Sequence, residues 1–192
     1  DNGKETIEGT TTIFTDLFVL IALAQYAYVS GDCTDYFLIQ NTFEQAQKNL
    51  MDSNFKDIKP HMWIDGVERH SPYMIAIHSS MVAKKILGRE VTRPLIEFCI
   101  DKLLNFFGKN ESGFLLESLK NDGRIWDTSE GRIVNPGHIF EGMWFCIDYA
   151  REIFDEDILQ RAIEIIKNTI KVAVDKNYGG VIQLHLSTYE AL

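Results

Sequence analysis

Three long and almost wholly apolar segments, each followed by an amphipathic one, most restrict how this 192-residue chain can fold. The apolar segments are 13–30, 71–87 and 136–154, and the amphipathic segments are about 34–51, 91–107 and 155–174. A helix that is apolar on all sides is enclosed by other helices, whereas an amphipathic helix lies on the surface. Alternation at a period of roughly 50 to 60 residues is typical of repeat folds. We therefore predict three helical hairpins, each with an inner and an outer helix.

Local signals fix several ends of these helices. Gly31 follows the first apolar segment and suits a C-terminal stop. Asn135 can cap the fifth helix with its side-chain oxygen, and Pro136 suits the first helical position. The acidic run 155–157 opens the sixth helix. The first helix is predicted over 13–30 and the fifth from 136 to about 154.

The connections carry weaker β signals. Two short β-like runs, 114–119 and 132–134, flank Asn121-Asp122-Gly123, which is a hairpin signal. Tyr178-Gly179-Gly180 predicts a turn, and 181–186 predicts a strand after it. The connection 52–70 is long, and loops of that length are usually functional or mobile. The predicted fold class is all-α with short β-hairpin insertions.

His138 and Glu141 lie one turn apart at the start of the fifth helix, so imidazole and carboxylate share one face. The partial positive charge at a helix N-terminus disfavours imidazolium, whereas Glu141 favours it. The sequence leaves that balance open. On the residue pattern alone, the pair is either an acid/base pair for catalysis or an ion pair that serves structure.

The composition limits the kinds of partner that this chain is expected to bind. The net charge of −9 argues against a nucleic-acid partner, because no basic excess is present to displace counterions. The run 13–29 contains Thr15, Asp16 and Gln25 and falls short of the ~20 residues of a membrane span, so we predict no membrane partner. The three cysteines are odd in number and widely spaced, which indicates a reducing compartment and a cytoplasmic protein.

The segment 131–145 carries a family resemblance. It reads Gly-Arg-Ile-Val-Asn-Pro-Gly-His-Ile-Phe-Glu-Gly-Met-Trp-Phe and closely resembles Gly-Arg-x-x-Asn-Pro-Gly-His-x-x-Glu-x-x-Trp-Phe, a signature of the N-acylglucosamine 2-epimerase family. That family, with related cellobiose 2-epimerases and aldose–ketose isomerases, has (α/α)6 toroid folds. The resemblance implies the same fold here and places His138 and Glu141 in an active site.

The resemblance also bears on how much of a toroid these residues form. A closed toroid of six hairpins needs about twice this length, so 1–192 is expected to be a single domain that forms an incomplete barrel. The chain begins at Asp1, without an initiator methionine, and is expected to be the middle of a longer protein. The family's second histidine lies in a Pro-His-x-Glu segment that this sequence does not contain. The isolated chain is therefore expected to be inactive.

Further sugar contacts are expected on neighbouring helix starts. Asp16 ends Ile13-Phe14-Thr15-Asp16, which resembles the Ile-Phe-Ser-acidic start of an inner helix in the family, although it is equally explained as a first-turn acid favoured by the helix dipole. Family members commonly carry an arginine where this chain has Thr11. Because of that difference, the family's usual substrate contacts do not carry over directly to this chain.

The start of the third helix supplies a looser match. Glu68, Pro72, Tyr73 and Met74 resemble the family's acidic-x-x-x-Pro-Met-Met segment, which makes Glu68, Tyr73 and Met74 candidate sugar-binding residues. A solvated loop charge explains Glu68 as well. Trp144 offers a flat face to a sugar ring, but aromatic residues at helical spacing are also common in cores.

No cofactor and no catalytic metal are predicted. His70 and His78 are eight residues apart, and no His, Cys, Asp or Glu cluster has metal-ligand spacing along the sequence. The sequence also lacks the Gly-rich loops that bind nucleotide phosphates and the nucleophile elbow of serine hydrolases.

The function that the resemblance implies is interconversion of the C2 epimers of a reducing sugar, with His138 removing and returning a proton. Glu141 would orient His138 or tune its basicity. The alternatives are an aldose–ketose isomerase of the same family, a non-catalytic carbohydrate-binding scaffold, and a glycoside hydrolase that uses Glu141 and Asp16 as its two carboxylates. Family members are often homodimers, and this is the expected partner besides the sugar.

Overall fold

Helices dominate the structure, a computed structural model that describes residues 12–52, 64–110, 112–183 and 185–186. The helices are α1 (Ile13–Ser30), α2 (Tyr36–Met51), α3 (Ser71–Leu87), α4 (Arg89–Asp101), α5 (Pro136–Ile153) and α6 (Glu156–Ala173). The predicted helices are confirmed, with differences at the starts of α2 and α4. α2 starts two residues later than predicted. α4 starts two residues earlier than predicted and continues as a π-helical segment, Lys102–Phe107.

The predicted inner and outer layers are confirmed. The apolar helices α1, α3 and α5 are neighbours, α1 beside α3 and α3 beside α5. Each of them packs on the amphipathic helix that follows it in the chain, α2, α4 or α6. One hydrophobic core joins both layers, and its largest fully buried side chains include Phe43, Phe107 and Tyr149. The chain thus forms an arc of three stacked hairpins.

The helix α1 differs from the prediction of an enclosed helix. It buries one stripe, whose residues are Ile13, Leu17, Leu20, Ala24 and Ala27. Its opposite side exposes large apolar side chains, among them Phe18, Tyr26 and Val29. Tyr26 and Val29 also line a wide, open groove of about 500 Å³. Among the described helices, α1 alone is long and apolar enough to cross a membrane, judged by its 18 residues and mean hydropathy of 1.6. Its length therefore does not exclude a membrane span, contrary to the argument from sequence.

Two small sheets replace the predicted β-hairpin. β1 (Val67–Arg69) pairs antiparallel with β2 (Ser118–Lys120), and β3 (Ile133–Val134) pairs antiparallel with β4 (His185–Leu186). The turn at 121–123 forms, because the N–H of Gly123 donates to the Lys120 oxygen at 2.8 Å with Gly123 at φ 81°. Its two flanking runs form their ladders with other strands, and one backbone hydrogen bond, from Glu117 to Ile133, joins them to each other. A short 3₁₀ helix, Glu130–Arg132, precedes β3 and separates it from the turn.

The predicted ends of the inner helices are confirmed. The Asn135 side chain accepts a hydrogen bond from the backbone N–H of His138 at 3.4 Å, and Pro136 is the first residue of α5. Gly31 ends α1 in the left-handed region at φ 71°, with its N–H donating to the Ala27 oxygen at 3.0 Å. The cap at Asn135 matters for function because it fixes where the His138 side chain leaves the helix.

Candidate functional site

The pairing of β1 with β2 brings together two residues that are distant in the chain. Arg69 lies opposite Ser118, so the next pair along the ladder is His70 and Glu117. The backbone N–H of His70 donates to the Glu117 oxygen at 3.3 Å. On its other side, the N–H of Glu117 donates to the oxygen of Ile133 at 2.9 Å, just before α5 begins. Glu117 is therefore held between the start of α3 and the start of α5.

The carboxylate that binds His138 is Glu117. His138 Nδ1 lies 3.0 Å from Oε2 and 3.1 Å from Oε1 of Glu117. The expected partner, Glu141, lies half-buried one turn further along α5 and acts on His138 through its charge. The histidine–carboxylate pair thus exists, but its hydrogen-bonded carboxylate comes from a different segment than the helical spacing suggested.

His70 completes a three-residue cluster. Its side chain is 1% exposed, and its Nδ1 lies 3.0 Å from the backbone oxygen of Leu116. A carbonyl oxygen only accepts hydrogen bonds, so Nδ1 carries the proton. Nε2 lies 3.9 Å from Glu117 Oε2 and has no hydrogen-bond partner among the described residues. The His70 ring meets the His138 ring edge-on, with the ring centres 5.9 Å apart.

The three groups shift one another's pKa. The hydrogen bond to Glu117 raises the pKa of His138 above its usual value; burial opposes this, and the charges of Glu117 and Glu141 add to it. Burial lowers the pKa of His70, against the attraction of Glu117. Burial alone would raise the pKa of Glu117, but the His138 hydrogen bond and the two imidazoles lower it overall. The sequence alone does not show whether the surroundings of His138 favour the neutral or the protonated ring. In the structure they favour the protonated ring, imidazolium.

A second cluster surrounds Glu68. The Tyr73 hydroxyl donates to the Glu68 carboxylate, and Lys102 Nζ lies 2.7 Å from it. Burial, followed by the charge of Glu68, raises the pKa of Tyr73, so the phenol keeps its proton. Glu68 is therefore an internally paired carboxylate, 19% exposed, rather than a solvated loop charge. A sugar hydroxyl at this position would have to compete with Tyr73 and Lys102.

The remaining candidates lie in three different settings. Trp144 is 55% exposed and lies beside Phe145, which stacks on His78 with ring centres 4.5 Å apart. Met74 is 2% exposed and packs in the core, where its side chain lies against Gly142 of α5. Asp16 is half-buried in the first turn of α1. The structure therefore joins neither Asp16 nor Met74 to the His138 cluster by a described hydrogen bond or ion pair, and their roles stay predictions.

Removal of the Glu117 charge should lower the pKa of His138. In Glu117→Gln the amide oxygen still accepts from Nδ1, but the charge that stabilises imidazolium is lost. We expect a clear fall in the pKa of His138, measured by NMR titration of its ring protons in the 192-residue chain. Glu141→Gln is the matched comparison and should give a smaller fall, because Glu141 acts through charge alone. An equal or larger fall in Glu141→Gln would contradict the assignment of Glu117 as the main partner.

Acid should destabilise the fold through His70. The unfolded chain takes up a proton at this histidine near pH 6.5, whereas burial lowers the pKa of His70 in the folded chain. Stability is therefore lost as the pH falls below 6.5, with a limiting slope of about 1.4 kcal/mol per pH unit for one proton. In His70→Phe this part of the slope should vanish, as measured by urea unfolding between pH 7 and pH 5. An unchanged slope in His70→Phe would contradict a buried neutral His70.

The sequence matches a model of a known protein family. The family model described as N-acylglucosamine 2-epimerase (GlcNAc 2-epimerase) matches residues 1–191. No curated protein sequence matches the chain.

Solved structures with the same fold are sugar enzymes by description. A D-mannose isomerase matches with a TM-score of 0.79 and 16% identity, over 96% of this chain and 51% of that chain. A sugar epimerase from a ruminal bacterium matches with a TM-score of 0.75 and 16% identity, over 92% and 48%. The cellobiose 2-epimerase of Bacillus thermoamylovorans matches with a TM-score of 0.63 and 19% identity, over 100% and 50%.

These likenesses, at low identity, show the fold. It is all-α and part of an (α/α)6 toroid, as predicted. The chain spans about half the length of the solved structures that it matches.

Proposed function

Because this chain belongs to the N-acylglucosamine 2-epimerase family, we propose that the whole protein interconverts the C2 epimers of a reducing sugar. The observation that carries the proposal is the His138 imidazole, which is 39% exposed and held through Nδ1 by the Glu117 carboxylate. The residue lies in the family signature, at the capped start of an inner helix. A sugar epimerase needs such a group, fixed in orientation and open on one side.

The hydrogen bond to Glu117 selects the tautomer of His138 that can act as a base. In neutral His138, Nδ1 donates its proton to Glu117, so the lone pair is on Nε2. Nε2 then removes the proton from C2 of the open-chain aldose, which is acidic because it lies α to the aldehyde. Glu117 and Glu141 stabilise the imidazolium that results, since both charges raise the pKa of His138. Return of a proton to the opposite face of C2 completes the epimerisation.

An aldose–ketose isomerase is the second candidate, since it begins with the same step. The proton leaves C2 in both reactions, but isomerisation returns it to C1 and gives a ketose. The structural likeness to a D-mannose isomerase is the observation that favours this candidate. The two reactions differ in the product, which an assay separates.

The proposal assigns the second acid/base group to a part of the protein outside these 192 residues. Return of the proton to the other face of C2 requires either a second group or a rotated intermediate. The chain spans about half the length of the related structures, which is consistent with a site shared between two halves of a toroid. The isolated chain is therefore expected to bind sugar weakly and to lack activity.

Proton exchange at C2 tests the proposal. The whole protein is incubated in D2O with N-acetylmannosamine, N-acetylglucosamine, mannose and cellobiose, and C2 is followed by proton NMR. An epimerase gives the C2 epimer with deuterium at C2, whereas an isomerase gives a ketose.

Two outcomes would count against catalysis. Sugar binding without exchange or product would favour a carbohydrate-binding scaffold. Hydrolysis of cellobiose to glucose would favour a glycosidase instead.

A further inference from the structure

The buried Nε2 atom of His70 carries a lone pair and faces a carboxylate oxygen of Glu117, which also carries lone pairs. Nδ1 of His70 holds the ring proton against Leu116, so Nε2 presents its lone pair. The nearest charged atom is Glu117 Oε2 at 3.9 Å, and no described residue gives Nε2 a hydrogen bond. A lone pair and a carboxylate oxygen repel each other unless a cation or a hydrogen-bond donor lies between them. Buried polar atoms without a partner are rare in folded proteins, so this one needs an explanation.

His138 supplies a third donor atom at the same place. His70, Glu117 and His138 each offer one ligand atom, and these three atoms lie within 4.8 Å of one another. His70 Nε2 and His138 Nδ1 lie 3.9 Å and 3.0 Å from Glu117 Oε2. Two imidazoles and one carboxylate form a ligand set that suits zinc, with a fourth position left for water. A metal-bound histidine usually donates its other N–H to a backbone carbonyl, as His70 does to Leu116. We propose that His70, Glu117 and His138 bind a divalent transition-metal ion, for which Zn²⁺ fits best.

The three ligands must close around the ion. Tetrahedral zinc with bonds of about 2.0–2.2 Å holds its ligand atoms roughly 3.4 Å apart, so a separation of up to 4.8 Å must shorten by somewhat more than 1 Å. His70 is 1% exposed and fixed by Leu116, whereas His138 is 39% exposed and can move. The ion replaces the proton that Nδ1 of His138 shares with Glu117.

Metal binding would switch off the proposed base, and this consequence rests on the proposed function. When Zn²⁺ occupies Nδ1 of His138, the proton of the neutral ring must be on Nε2. Nε2 then has no lone pair to remove the C2 proton. The metal-bound protein is therefore inactive, and Zn²⁺ acts as an inhibitor that competes with the proton on Nδ1.

A zinc titration tests the site without any assay of activity. The chain is freed of metal with EDTA, and Zn²⁺ is titrated in competition with a chromophoric chelator. We expect one tight site and at least a tenfold loss of affinity in His70→Ala and in Glu117→Gln. His78→Ala and Cys33→Ser remove a half-buried histidine and an exposed thiol elsewhere, and both should bind as the parent does. X-ray absorption of the complex should show nitrogen and oxygen ligands and no sulfur.

Several results would overturn the site. Parent-like affinity in His70→Ala, or loss of binding in Cys33→Ser, would place the ion elsewhere. If circular dichroism shows that His70→Ala is unfolded, Glu117→Gln, which keeps the side-chain size, decides the question alone. In the whole protein, exchange that persists with Zn²⁺ bound would overturn the inhibition. Absence of exchange in the metal-free protein would instead refute the proposed function and leave the zinc measurement intact.

Discussion

Replacement of His138 by alanine should lower C2 exchange in the whole protein by about 10²–10⁴-fold, the usual contribution of a positioned general acid/base. The His138 ring is 39% exposed and hydrogen-bonded to the half-buried carboxylate of Glu117. The rate constant kcat should fall, whereas KM should change little, because the residue acts on the C2 proton. Exchange is measured by NMR in D2O with the best sugar of the panel.

The comparison variant for this experiment is Gln160→Ala. Gln160 lies on the exposed side of α6 and hydrogen-bonds Glu156 at 2.6 Å, so its loss should leave both the fold and the rate unchanged. Exchange that survives His138→Ala at the parent rate would remove His138 from the mechanism. Equal losses in both variants would point to damage of the protein rather than to chemistry.

Replacement of Gly131 by alanine should destabilise the chain by about 3 kcal/mol or more, because the new methyl group has no space. A Cβ atom at this position would lie 1.9 Å from the backbone oxygen of Trp126 and 2.7 Å from its carbonyl carbon. Backbone atoms cannot rotate away as a side chain would. The 126–131 loop must therefore open, and with it the approach to β3 and α5. Urea unfolding should show a lower midpoint with an unchanged slope.

Gly137 provides a matched control within the same signature. A Cβ atom there would meet only the Asn135 side-chain oxygen, at 3.4 Å. Since Gly137 lies in the first turn of α5, alanine should be neutral or should stabilise the helix by up to about 1 kcal/mol. If Gly137→Ala loses as much stability as Gly131→Ala, then the space around the new methyl group does not explain the effect at Gly131.

The helical layers were predictable from sequence because their causes are local. Apolar periodicity, the cap at Asn135 and the stop at Gly31 are each written within a few residues of the helix that they define. The same holds for the position of His138 in the first turn of α5. These features do not depend on which other segments lie nearby.

The partner of His138 was not predictable in the same way. Glu117 reaches it through the pairing of β1 with β2, two strands of three residues each that are about 50 residues apart in the chain. The turn signal at 121–123 predicts a hairpin instead, whereas the run that contains Glu117 forms its ladder with β1. Spacing along the chain does not identify His70 as a metal ligand, because its neighbours Glu117 and His138 are 47 and 68 residues away in the sequence. Its ligand geometry exists only once the strands have paired.

The π-helical segment Lys102–Phe107 determines which side chains face β1. In an α-helix, two residues five positions apart are rotated by about 140° from each other. With hydrogen bonds to the fifth residue the rotation is only about 50°, so Lys102 and Phe107 share one side. Lys102 then binds Glu68, and Phe107 lies against His70 with ring centres 5.8 Å apart. One wide helical turn thus places side chains against the middle of β1 and against the residue that follows it, and deletion of a single residue within the turn would disrupt both clusters together.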